Sequence, residues 1–373
     1  MNIKSLLLGS AAALVAVSGV QAADAVVVAE PEPAEYVRIC DVYGAGYFYI
    51  PGTETCLRIG GSLRYTMGFG DFGAQDLLDK GDGLSTHDSW ASTAEFRFNI
   101  NTGQETELGT LSTFVQARFN WGSGGLNNIN VGGLPGTGIN VHGEKGAQLY
   151  FGWMQLGGLR IGVDESLFST FPGYAGNVIN DTLVGYGPFR TGLISYTFDA
   201  GNGFSIAASL EHGDDSFSLG GGPSFTSIDS YVPHVVLGAR YQQGWGAITG
   251  VVARDSNNEE WSAKVRLDVN ATEQLSLWIM GGYGSDDGSP TGYSDYFKTW
   301  GENWAVWGGG TYNINEKLSL NAQLSYDEAK TFGVAANFDY QPVLGLHVIP
   351  EVNYVDADGD DSIGGFIRFQ RDF

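Results

Sequence analysis

The chain reads as an all-β protein, a 16-stranded antiparallel transmembrane β-barrel with a loop folded inward. Three observations predict this. Charged and apolar residues alternate with a period of two. Short turns alternate with long loops. No segment after the first twenty or so residues holds the ~18 uninterrupted apolar residues of a membrane helix.

The alternation is clearest at Ala263-Lys264-Val265-Arg266-Leu267-Asp268-Val269 and at Leu318-Ser319-Leu320-Asn321-Ala322-Gln323-Leu324-Ser325-Tyr326-Asp327. Side chains one residue apart point to opposite faces of a strand, so such a segment separates two solvents. A soluble sheet would hide its apolar face against a second layer. Here the apolar face is assigned to lipid and the charged face to water.

Residues 1–22 read as a secretory signal peptide. Lys4 supplies a positive start, Leu6 to Val20 an apolar run, and Val20-Gln21-Ala22 the small residues at a cleavage site. A single membrane anchor is the alternative, but the run is short and broken by Gly9, Ser10 and Ser18. Residues 23–57 form an N-terminal periplasmic-side segment. It opens as a tether whose Glu30-Pro31-Glu32-Pro33 opposes both helix and ladder pairing. The segment also contains the only two cysteines, Cys40 and Cys56. In an oxidising compartment an isolated pair reads as one disulfide, with two free thiols as the alternative.

The barrel occupies residues 58–373. The first strand, Arg58 to Gly68, carries Ile59, Leu63, Tyr65 and Met67 on one face and Arg58, Ser62, Arg64 and Thr66 on the other. The second, Trp90 to Asn101, sets Phe96, Phe98 and Ile100 against Glu95, Arg97 and Asn99. The third, Leu108 to Trp121, sets Leu111, Val115, Ala117, Phe119 and Trp121 against Gln116, Arg118 and Asn120. Thirteen more follow near 147–156, 159–165, 190–200, 203–212, 232–242, 245–254, 260–270, 274–283, 303–314, 317–327, 331–340, 345–355 and 363–373. Segments 147–156 and 245–254 are ambiguous in phase. Short turns such as 157–158, 201–202 and 315–316 alternate with long stretches near 69–89, 122–146, 166–189, 213–231 and 284–302. Short periplasmic turns and long exterior loops are the pattern of an outer-membrane barrel. Phe373, in phase with Ile367 and Phe369, fits the aromatic ending that barrel assembly reads.

In lipid every backbone N–H and C=O needs a protein partner, so the sheet must close. Eight strands would fill the interior with side chains, whereas about sixteen leave an aqueous lumen. The polar phase then explains the charges. Arg58, Arg64, Arg97, Arg118, Arg160, Arg240, Lys264, Arg266 and Arg368 fall in it, as do Glu95, Asp164, Glu211, Asp268, Asp327 and Glu351. A basic residue facing lipid at midplane would cost ~2–4 kcal/mol, and one facing water costs little.

The long connection from Ser166 to Pro188 is more apolar than an exposed loop should be. It is expected to fold inward as a constriction loop. Asp164, Glu165 and Asp181 would then face arginines of the first three strands and set a transverse field. The expected pore-lining set is Arg58, Arg64, Arg97, Arg118, Arg160, Asp164, Glu165, Asp181 and Arg368.

Other chemistries find little support. A net charge of -23 argues against nucleic acid. Asp356-Ala357-Asp358-Gly359-Asp360-Asp361 resembles the start of a calcium loop, but the Gly and Glu that an EF-hand needs are replaced by Asp361 and Ile367. An acidic exterior loop is the plainer reading. The five histidines are scattered, with no metal spacing and no nucleophile motif. No metal, cofactor or catalytic site is expected. Trp278 and Trp307 share the inward phase, yet two aromatics on different strands do not make the ladder that a sugar-selective channel would use.

The run Glu35-Tyr36-Val37-Arg38-Ile39-Cys40-Asp41-Val42-Tyr43-Gly44-Ala45-Gly46-Tyr47-Phe48-Tyr49-Ile50-Pro51-Gly52-Thr53-Glu54-Thr55-Cys56-Leu57-Arg58-Ile59 closely resembles the N-terminal signature of the major porins of rhizobial-type alphaproteobacteria. The leader Met1–Ser10 and the turn Glu105–Leu111 are similar to the same family. The resemblance implies a homotrimer in the outer membrane, in contact with lipid and lipopolysaccharide, that passes small hydrophilic solutes passively. It also implies that the early strands and the last form the trimer contact. A substrate-selective channel and a plugged structural barrel are the alternatives.

Overall fold

The computed structural model describes residues 38–72, 74–78, 81, 86–123, 145–214, 227–285 and 295–373. The expected signal peptide and tether lie outside them. Residues Ile39–Phe373 form one compact unit.

Among the described residues, eighteen strands form a single sheet. Two are short flanking pieces, Phe48–Tyr49 and Ala74–Leu78. The other sixteen make a ring: β1 (Cys56–Gly70), β2 (Thr86–Thr106), β3 (Gly109–Ser123), β4 (Lys145–Leu156), β5 (Leu159–Glu165), β6 (Arg190–Asp199), β7 (Phe204–Glu211) and β8 (His234–Gln243), then β9 (Gly246–Arg254), β10 (Trp261–Asn270), β11 (Leu275–Gly284), β12 (Trp304–Asn315), β13 (Leu318–Asp327), β14 (Thr331–Val343), β15 (Leu346–Ala357) and β16 (Asp360–Asp372). Each pairs antiparallel with the next, and β16 closes on β1 from Gly364↔Gly70 to Asp372↔Ser62. Phe373 extends the seam by exchanging backbone hydrogen bonds with Gly61. No edge is left to be satisfied by lipid.

The two faces divide as the alternation demands. On β10, Val265 is 56% exposed and Lys264 1%. On β13, Leu324 faces out while Gln323 and Ser325 are buried. Both ambiguous strands have physical explanations. In β4, Gln116↔Phe151 is followed by Ala117↔Leu149, so Tyr150 is an extra, bulged residue that shifts the phase. On β9, the inward Ala247, Thr249, Val251 and Ala253 are small or apolar because a loop covers them. Both faces of that strand are therefore apolar.

The long-and-short rhythm weakens at 255–260, only six residues at the long-loop end, and stops after β12. The connections 328–330 and 358–359 lie at the long-loop end yet are tight turns. The expected acidic loop at 356–361 is thus two strand ends joined through Asp358 and Gly359, both with positive φ. At the opposite end, Cys40 and Cys56 form a disulfide with Cα atoms 6.0 Å apart. It holds a hairpin whose Tyr43 hydroxyl donates to Glu105 Oε1 at 3.0 Å.

Candidate functional site

One wall of the lumen is bare and basic. The register places Arg64 opposite Glu95 and Arg97 opposite Arg118. Glu95 Oε1 accepts from Arg97 Nε, and the Arg64 and Arg118 guanidinium groups each lie 3.7 Å from the same carboxylate. Arg368 of β16 joins them, its Nε donating to Thr66 Oγ1 at 3.1 Å. Four guanidinium groups thus line β16, β1, β2 and β3, three of them sharing the one carboxylate of Glu95. Like charges directly across strands repel. The bulged Tyr150 relieves this by lying against Arg118, its ring centroid 3.2 Å from the guanidinium carbon. Arg190 approaches the same ring at 5.0 Å and pairs with Asp214.

Much of the opposite inner wall is covered. Ser166 caps α1 (Leu167–Thr170), and the chain then crosses the lumen to Phe189 before β6 begins. Inward side chains of six strands seize this loop by its backbone. Glu211 of β7 accepts from Leu167 N–H at 2.9 Å. Lys264 and Arg266 of β10 donate to the carbonyls of Tyr186 and Tyr174, each at 2.5 Å. Trp307 of β12 donates to Val184 O at 3.0 Å, and Gln323 of β13 to Asp181 O at 3.0 Å. Asn337 of β14 donates to Asn177 O at 3.1 Å. Glu351 of β15 accepts from Ile179 N–H and, at 2.9 Å, from Asn180 N–H. Apolar contacts complete the seat. Leu183 packs with Phe72, Ala335, Val355 and Phe366, and Phe168 and Tyr186 join a larger cluster with Val236, Met280 and Trp307.

The acidic residues expected to face the arginines separate into three cases. Glu165, which accepts from the Tyr174 hydroxyl, lies within electrostatic reach of Arg118 and Arg97. Asp181 lies within electrostatic reach of Arg368. Its Oδ2 accepts from Tyr186 OH at 2.5 Å, and burial against the loop pushes its carboxyl up to about 6. Asp164 instead pairs with Arg160 on its own strand at 2.5 Å. Arg160 also stacks on Trp153 at 4.0 Å. Arg58 is apart from all of these. It stacks on Tyr47 at the disulfide end, about 20 Å along β1 from Arg64 at ~3.4 Å per residue.

Sequence reasoning assigned Lys264, Glu211 and Glu351 to the water-lined face. They do point inward, but each is about 1% exposed beneath the loop. Trp307 is equally covered, so the two inward tryptophans do not form a ladder along the passage. Tyr150, Arg190 and Tyr174 were missed. The phase ambiguity of 147–156 was the trace that Tyr150 left.

A closed barrel with an inward loop and a basic wall is now defined, and comparison with known proteins places it. The profile of one family, the Porin subfamily, matches residues 24–371. The chain belongs to this porin family. Porin Omp2b of Brucella suis biovar 1 is 49% identical over 381 residues, covering all of both chains. Its counterpart from Brucella neotomae is 50% identical with the same coverage. Among solved structures, the outer membrane channel DcaP of Acinetobacter baumannii matches with a TM-score of 0.59 at 17% identity, over 87% of this chain and 99% of that one. A mutant of Rh. blastica porin matches with a TM-score of 0.51 at 14% identity, over 85% of this chain and 100% of that one. At these identities the structures speak for the fold alone. The porin is an outer-membrane channel for passive diffusion of small hydrophilic solutes and ions, a channel rather than an enzyme.

Proposed function

We propose that solutes cross this porin at a waist between the bare arginine wall and the acidic edge of the 166–189 loop. Arg64, Arg97, Arg118 and Arg368 form one side, and Glu165 and Asp181 the other. Arg160 with Asp164 lines the approach, and Arg58 sits at the mouth. Opposed charges across a narrow wet passage orient dipolar solutes and sort ions by sign. The observation that carries this reading is the sharing of Glu95 by three guanidinium groups, which leaves the wall strongly positive.

The long loops face the cell exterior and lipopolysaccharide, and the disulfide hairpin faces the periplasm. The assembly is a homotrimer. Support for these comes from the loop rhythm and from the family. Replacing Arg97 and Arg118 together by Ala should move the reversal potential in a salt gradient toward cations. An unmoved potential would place them away from the waist.

A further inference from the structure

A second loop enters the barrel. Between β11 and β12 the described residues 295–303 lie in the lumen, with Phe297 wholly buried. The wall holds this segment by its polar groups. Asp295 accepts from Ser262 Oγ of β10 and from Phe297 N–H at 2.9 Å. Tyr296 N–H donates to Asp255 Oδ2 at 2.9 Å, and Gly301 N–H to Asp327 Oδ2 at 2.9 Å.

The other side of the segment meets the returning arm of the constriction loop. At the start of that loop, the Phe168 ring of α1 lies 5.2 Å from that of Phe297. Trp300 packs edge-on at 5.5 Å against Trp307, whose indole holds Val184 O. Thr299 Oγ1 accepts from Gly187 N–H at 2.7 Å. The fit is close: a Cβ added at Gly185 would come within 2.4 Å of Thr299 O and 2.7 Å of Thr299 Oγ1.

We propose that the aperture is set by two loops rather than one. Residues 295–303 are a wedge between the wall and the arm 183–188, and Thr299 is the positioning residue that ties the wedge to the arm. This rests on the reading that the 166–189 loop narrows the passage. Lys264 and Trp307 fix where the arm is tethered. The wedge fixes how far it stands from the wall. Its aromatic bulk keeps the arm from falling back, and the Thr299–Gly187 bond keeps it from swinging inward.

Single-channel recording of the full chain tests this through variants on both loops. Thr299→Val removes the acceptor but keeps the shape, whereas Gly185→Ala forces the two backbones apart. Each should raise the occupancy of a displaced conductance level about five- to tenfold, the weight of one hydrogen bond. The flux of larger neutral sugars into liposomes should change with it. The reversal potential should stay at the wild-type value, because no charge has changed. Thr299→Ser should behave as wild type. Wild-type levels and sugar flux in both Thr299→Val and Gly185→Ala, or a Ser variant as disturbed as Val, would overturn the proposal. Deleting residues 172–184 separates the two readings. If deletion leaves conductance unchanged, the constriction itself is wrong. If deletion raises it while the Thr299 and Gly185 variants do nothing, only the wedge is wrong.

Discussion

The two halves of the lumen use the same residue types in the same strand phase and put them to opposite uses. On β16 and β1–β3 the inward charges are left open, and their guanidinium groups outnumber the one carboxylate among them. On β7, β10 and β15 the inward Glu211, Lys264, Arg266 and Glu351 are covered, and each is spent on a backbone group of the constriction loop. Glu95 and Glu351 show the contrast. The first balances three arginines beside the passage. The second is buried and accepts from two successive loop N–H groups and from Asn337. A charge beside water tunes a field, while a charge beneath a loop holds a position. Removing one or the other should therefore fail in different ways.

The largest effect is expected on the covered side. Glu351→Ala leaves two buried loop N–H groups without an acceptor, and hydrogen bonds to a charged partner contribute about 1.5–3 kcal/mol each. The loop tip should detach, giving larger and noisier single-channel currents. Glu351→Gln, which retains an acceptor, should fall between this variant and wild type.

A smaller effect separates the two sides by pH. Burial raises the Asp181 carboxyl from its ordinary 3.8 to about 6. The folded state thus holds this proton more tightly than the unfolded chain does. Charging Asp181 therefore costs loop stability as pH rises through that window, and acidification restores it. It also removes a negative charge from the waist. Between pH 7 and 5 the reversal potential should move toward anions, and Asp181→Asn should abolish that part of the shift. Asp295, likewise pushed up to about 6 by burial, sits against the covered wall. Asp295→Asn should leave the pH dependence of the potential intact.

The smallest effect on conduction is expected at the disulfide. Breaking Cys40–Cys56 should cost the N-terminal hairpin ~3 kcal/mol by chain-entropy reckoning. Thermal unfolding should report the loss while conductance stays unchanged, because the hairpin anchors to the turn at Glu105 and not to the waist.

The strands and their inward faces were legible because lipid imposes a strict period of two on each one. The inward course of the 166–189 loop was legible from its apolar composition. What composition could not say is which inward charges that loop would cover, since this depends on where it lies across strands distant in sequence. Lys264 and Arg64 have the same phase and the same sign, yet only Lys264 is sealed beneath the loop. The wedge left the same kind of signal in Tyr296-Phe297 and Trp300, three of the four aromatics in a loop otherwise rich in Gly, Asp and Ser. Tyr150 was hidden because one bulged residue reverses the alternation on which the reading depends.

Cysteine accessibility tests the division of the lumen most directly, since both native cysteines are held in the disulfide. Arg97→Cys places a thiol on the bare wall, and Ser325→Cys places one of nearly native size beneath the loop. A small anionic methanethiosulfonate added to open channels should reduce the current through Arg97→Cys within seconds and leave Ser325→Cys untouched. Equal block at both positions, or none at Arg97→Cys, would contradict the account.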